Sequence, residues 1–123
     1  MRFSCLLPID EGQGREFGTI DAIAAMAAAM DQAGVDAGAV TDHPAPSSRW
    51  LAGGGHPTLD PFVALTALAS ASSRLMLHTH ILVLAYRNPF VVAKSAASLD
   101  ALSQGGSSWG SAPVIRSRNT PRS

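Results

Sequence analysis

Asp42-His43 is the pair of side chains in this sequence best suited to chemistry. A carboxylate and an imidazole stand together, preceded by the apolar Ala39-Val40 and followed by Pro44. Imidazole ordinarily titrates at about 6.5, so His43 is a candidate proton donor or acceptor near neutrality. Asp42 would hold a cofactor group or a neighbouring donor. A loop aspartate and histidine that satisfy local backbone groups would read the same way. Proline continues neither a ladder nor a helix, so a strand should stop at Pro44. The pair then falls at a strand's carboxyl end, where parallel α/β folds place ligands and catalysts.

Three other stretches carry chemically capable residues. In His78-Thr79-His80, strand alternation puts both imidazoles on one face and Thr79 on the other. Two imidazoles facing a barrel interior could ligate zinc, with Asp42, His43 or His56 as further ligands. They could equally be hydrogen-bonded within a polar lining, and we assign no metal. Gly53-Gly54-Gly55-His56-Pro57 is glycine-rich but lacks the Gly-Lys-Ser/Thr of a phosphate-binding loop. It reads as a flexible connection on the catalytic face, able to act as a lid. In Tyr86-Arg87-Asn88-Pro89, Arg87 either binds an anion with help from the next helix N-terminus or is solvated. Asn88 reads as a helix cap.

The elements that must position these residues alternate. Met1–Leu7 predicts a strand, ended by Pro8. Ile20–Ala33 predicts a helix, alanine-rich, with Ile20, Ile23, Ala24, Ala27 and Met30 on one stripe and Gly34 as its terminal glycine. Val35–Thr41 predicts the second strand, and Pro44–Leu59 a loop. Asp60-Pro61 opens a helix to about Ser72, since Asp caps and Pro suits the first turn. Leu75–Leu84 predicts a third strand, nearly all apolar, as a parallel strand buried on both faces should be. A helix from Phe90 to about Leu102 follows Asn88-Pro89 and ends at Gln104-Gly105-Gly106. Strand–helix alternation with right-handed crossovers predicts a parallel sheet with helices outside. Three strands do not close a barrel of eight, so the pattern is the opening part of something larger.

Composition narrows the class. Nine basic and nine acidic residues cancel, so nothing draws the chain to nucleic acid or to an anionic membrane. No run approaches the roughly 18–20 apolar residues of a membrane span. The lone Cys5 excludes an internal disulfide, fits a reducing, cytoplasmic compartment, and reads as a small core residue. The expected partner is a small-molecule substrate.

Together these pieces resemble the start of the luciferase-like monooxygenase family, from Met1 to about Gly106. The resemblance rests on Thr41-Asp42-His43-Pro44, Leu59-Asp60-Pro61-Phe62, Leu84-Ala85-Tyr86-Arg87-Asn88-Pro89 and Ala97-Ser98-Leu99-Asp100-Ala101-Leu102-Ser103, in that order. It implies an α/β fold, the N-terminal portion (about three βα units) of a TIM (β/α)8 barrel, bacterial-luciferase-like. It implies an oxidoreductase or monooxygenase using deazaflavin (coenzyme F-420) or FMN. By the same resemblance His43 would be catalytic and Asp42 would touch the cofactor ring. Thr79, His80 and Ile81 would back that ring through a bulge carrying a cis non-proline peptide.

The resemblance breaks after Gly106. Family members continue with a Leu-Gly-Val-Gly-Ala-Gly-Tyr-like turn, whereas this chain reads Ser107-Ser108-Trp109-Gly110-Ser111-Ala112-Pro113-Val114-Ile115. Read from the third base of each codon, Trp109-Gly110 forces a glycine codon, and the flanking residues permit the whole family motif. Residues 1–106 are therefore expected to form a partial barrel domain, and 107–123 a disordered, out-of-frame tail after a frameshift near Gln104–Gly106. The gene sequence decides this: an early stop in the shifted frame, or absence of the motif, would sink it. A partial barrel leaves an open sheet edge, which implies self-association. The alternatives are a non-enzymatic fragment stabilised by itself or a partner, and a metal-dependent barrel hydrolase using His78 and His80.

Overall fold

The computed structural model describes residues 1–8 and 17–111, the last five through their backbone. The elements are β1 (Ser4–Leu6), α1 (Ile20–Gln32), β2 (Ala37–Val40), α2 (Ser48–Ala52), α3 (Pro61–Ala71), β3 (Met76–Leu82), α4 (Pro89–Leu102) and β4 (Ser107–Ser111). They build one sheet in the order β1-β2-β3-β4, each neighbouring pair parallel.

Local sequence chemistry starts and stops these elements. Thr19 Oγ1 accepts from the Ala22 N–H at 3.2 Å to cap α1. Asp60 Oδ1 accepts from Phe62 and Val63 N–H groups, and Asn88 Oδ1 from Phe90 and Val91, each cap followed by a proline in the first turn. Helix α1 closes in a Schellman motif: Val35 N–H reaches Met30 O at 3.0 Å and Gly34 N–H reaches Asp31 O at 3.3 Å. Gly34 holds φ at +73°, where a Cβ would be strained. Arg74 then clasps that helix end, donating to Val35 O at 2.7 Å and to Asp31 Oδ1 at 3.0 Å.

The core lies between one face of the sheet and helices α1, α3 and α4. Leu7, Val40 and Leu77 from the sheet meet Ile23, Ala27, Met30, Leu65, Leu68 and Leu99 from the helices. At Gly38 the two layers come close together. A Cβ there would run into Leu68 Cδ2 and stand 3.2 Å from Leu7 Cδ1 and 3.5 Å from Met30 Cε, so α3 packs directly onto the β2 backbone.

Four expectations need correction. The stretch from Ser107 is not structureless throughout: Ser107–Ser111 pair with β3 as a fourth strand, and residues 112–123 lie outside the described residues. The backbone N–H and C=O groups of β3's free edge recruit that strand whatever its side chains. No cis peptide occurs among the described residues. The bulge at Thr79–Ile81 is present as a register shift between Thr79 and Leu82, so the extra residue is absorbed with trans bonds. Cys5 is exposed rather than buried, because β1 lies at an edge of the described sheet. The predicted loop 44–59 contains α2, capped by Ser47 Oγ on the Trp50 N–H.

Candidate active site

Asp42 and His43 follow β2 after Thr41, at the carboxyl ends of the strands; the strand itself ends at Val40, ahead of Pro44. With Pro44, Ala45, Pro46, Trp50, Val83 and Tyr86 they line a cleft of about 180 Å³.

Asp42 is almost wholly buried, its side chain 2% exposed. Its Oδ1 accepts from Arg87 Nη2 at 2.9 Å; its Oδ2 accepts from Arg87 Nε at 3.1 Å and from the Val83 N–H at 3.0 Å. That is a two-pronged guanidinium–carboxylate pair, the strongest and most directional kind. Arg87 also donates from Nη1 to Asp60 Oδ2 at 2.9 Å and sits 5.6 Å from the centre of the Phe62 ring. Asp60 thus caps α3 with one oxygen and holds Arg87 with the other. Hydrogen bonding to Asp42 first, and to Asp60, raises the Arg87 guanidinium above its ordinary range against the opposing effect of burial. One arginine therefore ties the end of β2, the start of α3 and the approach to α4.

Sequence reasoning missed this tie. Arg87 is neither an anion site nor a solvated side chain, because two carboxylates distant in sequence converge on it. The available signal was the pair of acids, Asp42 and Asp60, placed at element ends beside a strand-end arginine.

His43 is held differently. Its backbone N–H donates to Thr58 Oγ1 at 3.2 Å, folding the end of the β2–α3 connection back over it. Its ring lies 4.7 Å from that of Trp50 and 5.2 Å, edge-on, from that of His56; Trp50 and His56 are 5.9 Å apart. Helix α2, through Trp50, and the glycine-rich loop, through His56, thus cover one side of His43. A Cβ at Gly55 would strike the Trp50 ring, so glycine is what lets the loop close on the indole. Gly55→Ala is expected to displace Trp50 from His43, read as a shift in tryptophan emission with little loss of stability; an unchanged spectrum would mean the contact does not depend on Gly55.

The other candidates divide between faces. Thr79 is fully buried, on the helix-facing side with Leu77. His80 and Ile81 are exposed, and Leu82 is buried again. Across the bulge two consecutive side chains, His80 and Ile81, are exposed, while Thr79 is not. His78 and His80 have ring centres 6.3 Å apart. Among the described residues no group of three or more His, Cys, Asp or Glu gathers to hold a metal ion, so the hydrolase alternative finds no ligand set there.

Parallel strands in sequential order, helices packed on one face, and a cleft at the strand carboxyl ends define part of an α/β barrel. The chain belongs to the luciferase-like monooxygenase family, whose model matches residues 1–113. No curated protein matches the chain. Several solved structures share its fold. Riboflavin lyase RcaE, solved with modified FMN and riboflavin, superposes with a TM-score of 0.71 at 23% identity, over 91% of this chain and 29% of its own. Long-chain alkane monooxygenase LadA gives 0.74 at 17% identity, over 91% and 30%. The coenzyme F-420-dependent tetrahydromethanopterin reductase from Methanopyrus kandleri gives 0.65 at 20%, over 94% and 27%. The chain thus spans under a third of each of these structures. Among the described residues no helix is long and apolar enough to cross a membrane.

Proposed function

We propose that this chain carries the Asp42-His43 wall of a flavin or deazaflavin site in an oxidoreductase of the luciferase-like family. The observation that supports it is the placement of His43 beside a cleft at the strand carboxyl ends, in a chain whose family match covers residues 1–113. RcaE was solved with a modified FMN and the reductase depends on coenzyme F-420, so both cofactor types occur on this fold.

The residues present fit one side of such a site. The bulge leaves His80 and Ile81 exposed, and Val83, just beyond it, is tied to Asp42. The cleft of about 180 Å³ is well short of the roughly 300–1,000 Å³ of a cofactor pocket, so most of the pocket must come from outside the described residues. A flavin or deazaflavin, when bound, supplies hydride-transfer chemistry. The protein's own part is placement and proton handling. Arg87 and the Val83 N–H fix Asp42, Thr58 holds the His43 backbone, and Trp50 and His56 fix its ring. His43 would then take or give a proton at a ring nitrogen. Asp42, with both oxygens engaged, acts on the cofactor through its hold on this end of β2 rather than as a free base.

The 123-residue chain is expected to bind either cofactor weakly, because it supplies one wall. Titration with FMN and with coenzyme F-420, followed by cofactor fluorescence, tests this. We expect a shallow change that His43→Ala weakens further. No change with either cofactor would overturn the site assignment. Saturable micromolar binding by a soluble monomer would overturn the single-wall reading.

A further inference from the structure

We infer that two copies of this chain close on each other through their free sheet edges, β1 of one against β4 of the other, into a single eight-stranded parallel barrel.

Three observations carry this. First, the described sheet has two unpaired edges of matching polarity. The β1 backbone reaches β2 through Phe3 O, which accepts from the Asp36 N–H at 2.9 Å, and through Leu7 N–H, which donates to Ala39 O at 2.8 Å. Strand alternation then points the N–H and C=O groups of Ser4 and Leu6 away from β2, toward the free side. Strand β4, paired to β3 on one side, is the other edge among the described residues. Both run parallel to the rest, so β4 of a second copy can add to β1 without reversing direction.

Second, among the described residues no helix packs on the other face of the sheet. Helices α1, α3 and α4 pack on the side of Leu7, Val40 and Leu77. Leu6, Ala39 and His78 share a register row on the opposite face, where Leu6, at the edge strand, is 50% exposed and the small Ala39 beside it is buried. Parallel sheets are found almost only with both faces covered.

Third, the count closes. Four parallel strands in sequential order are half of an eight-stranded barrel. A twofold axis along the barrel makes two identical β1–β4 junctions, leaves no edge, and buries each open face against the other. An eight-stranded barrel has an interior that side chains just fill. A junction that failed to close would instead propagate as an open ladder. The inference rests on the sheet alone and is independent of the cofactor reading.

The competing surface is an apolar groove of about 580 Å³ on the outer helices, lined by Ile20, Val63 and Leu102 among others. The test is the solution mass of the full 123-residue chain by light scattering, with Leu6→Lys and Val63→Lys compared. We expect twice the chain mass for the unaltered chain and Val63→Lys, and a folded monomer for Leu6→Lys, whose charge lands on both the free edge and the open face. Hydrogen exchange of the unaltered chain gives a second reading: the Leu6 amide should be protected, and protection should fall on dilution. A monomer at every concentration, an open-ended ladder, or a dimer lost with Val63→Lys but not Leu6→Lys would overturn the proposal. If Leu6→Lys does not fold, a dimer whose Leu6 amide exchanges freely would overturn it equally.

Discussion

Replacing Arg87 with leucine is expected to lower folding stability by about 3–5 kcal/mol, the range for breaking a buried ion pair from one side. The physical reason is Asp42. Its side chain is 2% exposed and takes two of its three hydrogen bonds from Arg87. Removing the guanidinium leaves a buried carboxylate with only the Val83 N–H. The exposed pair of Arg74 with Asp31 makes a contrast, at 46% and 34% side-chain exposure, and loss of that ion pair alone should cost under about 1 kcal/mol. Arg87→Lys should recover part of the loss, since it restores charge but not the two-pronged geometry. The double change Asp42→Leu with Arg87→Leu should cost less than the two single changes summed, because neither charge is then stranded. Urea unfolding followed by circular dichroism measures all four. A loss below about 1 kcal/mol for Arg87→Leu would show that water reaches Asp42 and the tie is weak. Arg87 is raised by Asp42, so its own contribution is fully present through neutrality and is lost only in strong alkali. The Arg87→Leu deficit should therefore show no step from arginine titration near neutral pH.

Leu68→Ala is expected to cost about 2–5 kcal/mol, and Gly38→Ala about 1–3 kcal/mol, yet the two together should cost clearly less than their sum. Leu68 is fully buried at the centre of the core, and its Cδ2 occupies the space that a Cβ on Gly38 would need. Deleting the leucine side chain opens a cavity against β2, and a methyl group on residue 38 fills part of it. Calorimetric or denaturant unfolding of the three variants gives the coupling. Strict additivity would mean that α3 shifts off the sheet when residue 38 gains a Cβ, so that the two changes no longer share one space. Helix α3 also carries Asp60 at its N-terminus, so such a shift would loosen Arg87 and the cleft with it.

Much of the scaffold was legible because its signals are local. Asp60-Pro61 and Asn88-Pro89 cap helices through their own carboxylate or amide on the next turn's N–H groups, which requires no distant partner. Gly34 ends α1 through a backbone angle that favours glycine. The apolar run Leu75–Leu84 read as one long strand, but the structure ends β3 at Leu82 and turns Leu84–Tyr86 into a short 3-10 segment. Periodicity does not register that change, since both states are apolar. Strand β4 was hidden because Ser-Ser-Trp-Gly-Ser has no strand pattern; pairing with the β3 backbone is what makes it a strand.

The candidate site shows the same division. By itself the sequence determined that Asp42 and His43 stand at a strand's carboxyl end, because the apolar run ends just before them and Pro44 bars its resumption, and that the chain's motifs run in luciferase-like order. Only the tertiary structure decided what each of the pair touches. Asp42 is spent on Arg87, a residue 45 positions away, while His43 is left at the cleft under a cover made by Trp50 and His56. Caps and turns depend on neighbours a few residues apart, and their chemistry is written in the order of the chain. Burial of a carboxylate and the choice of its partner depend on which segments fold onto one another, and that is settled only when β2, α3 and the approach to α4 meet.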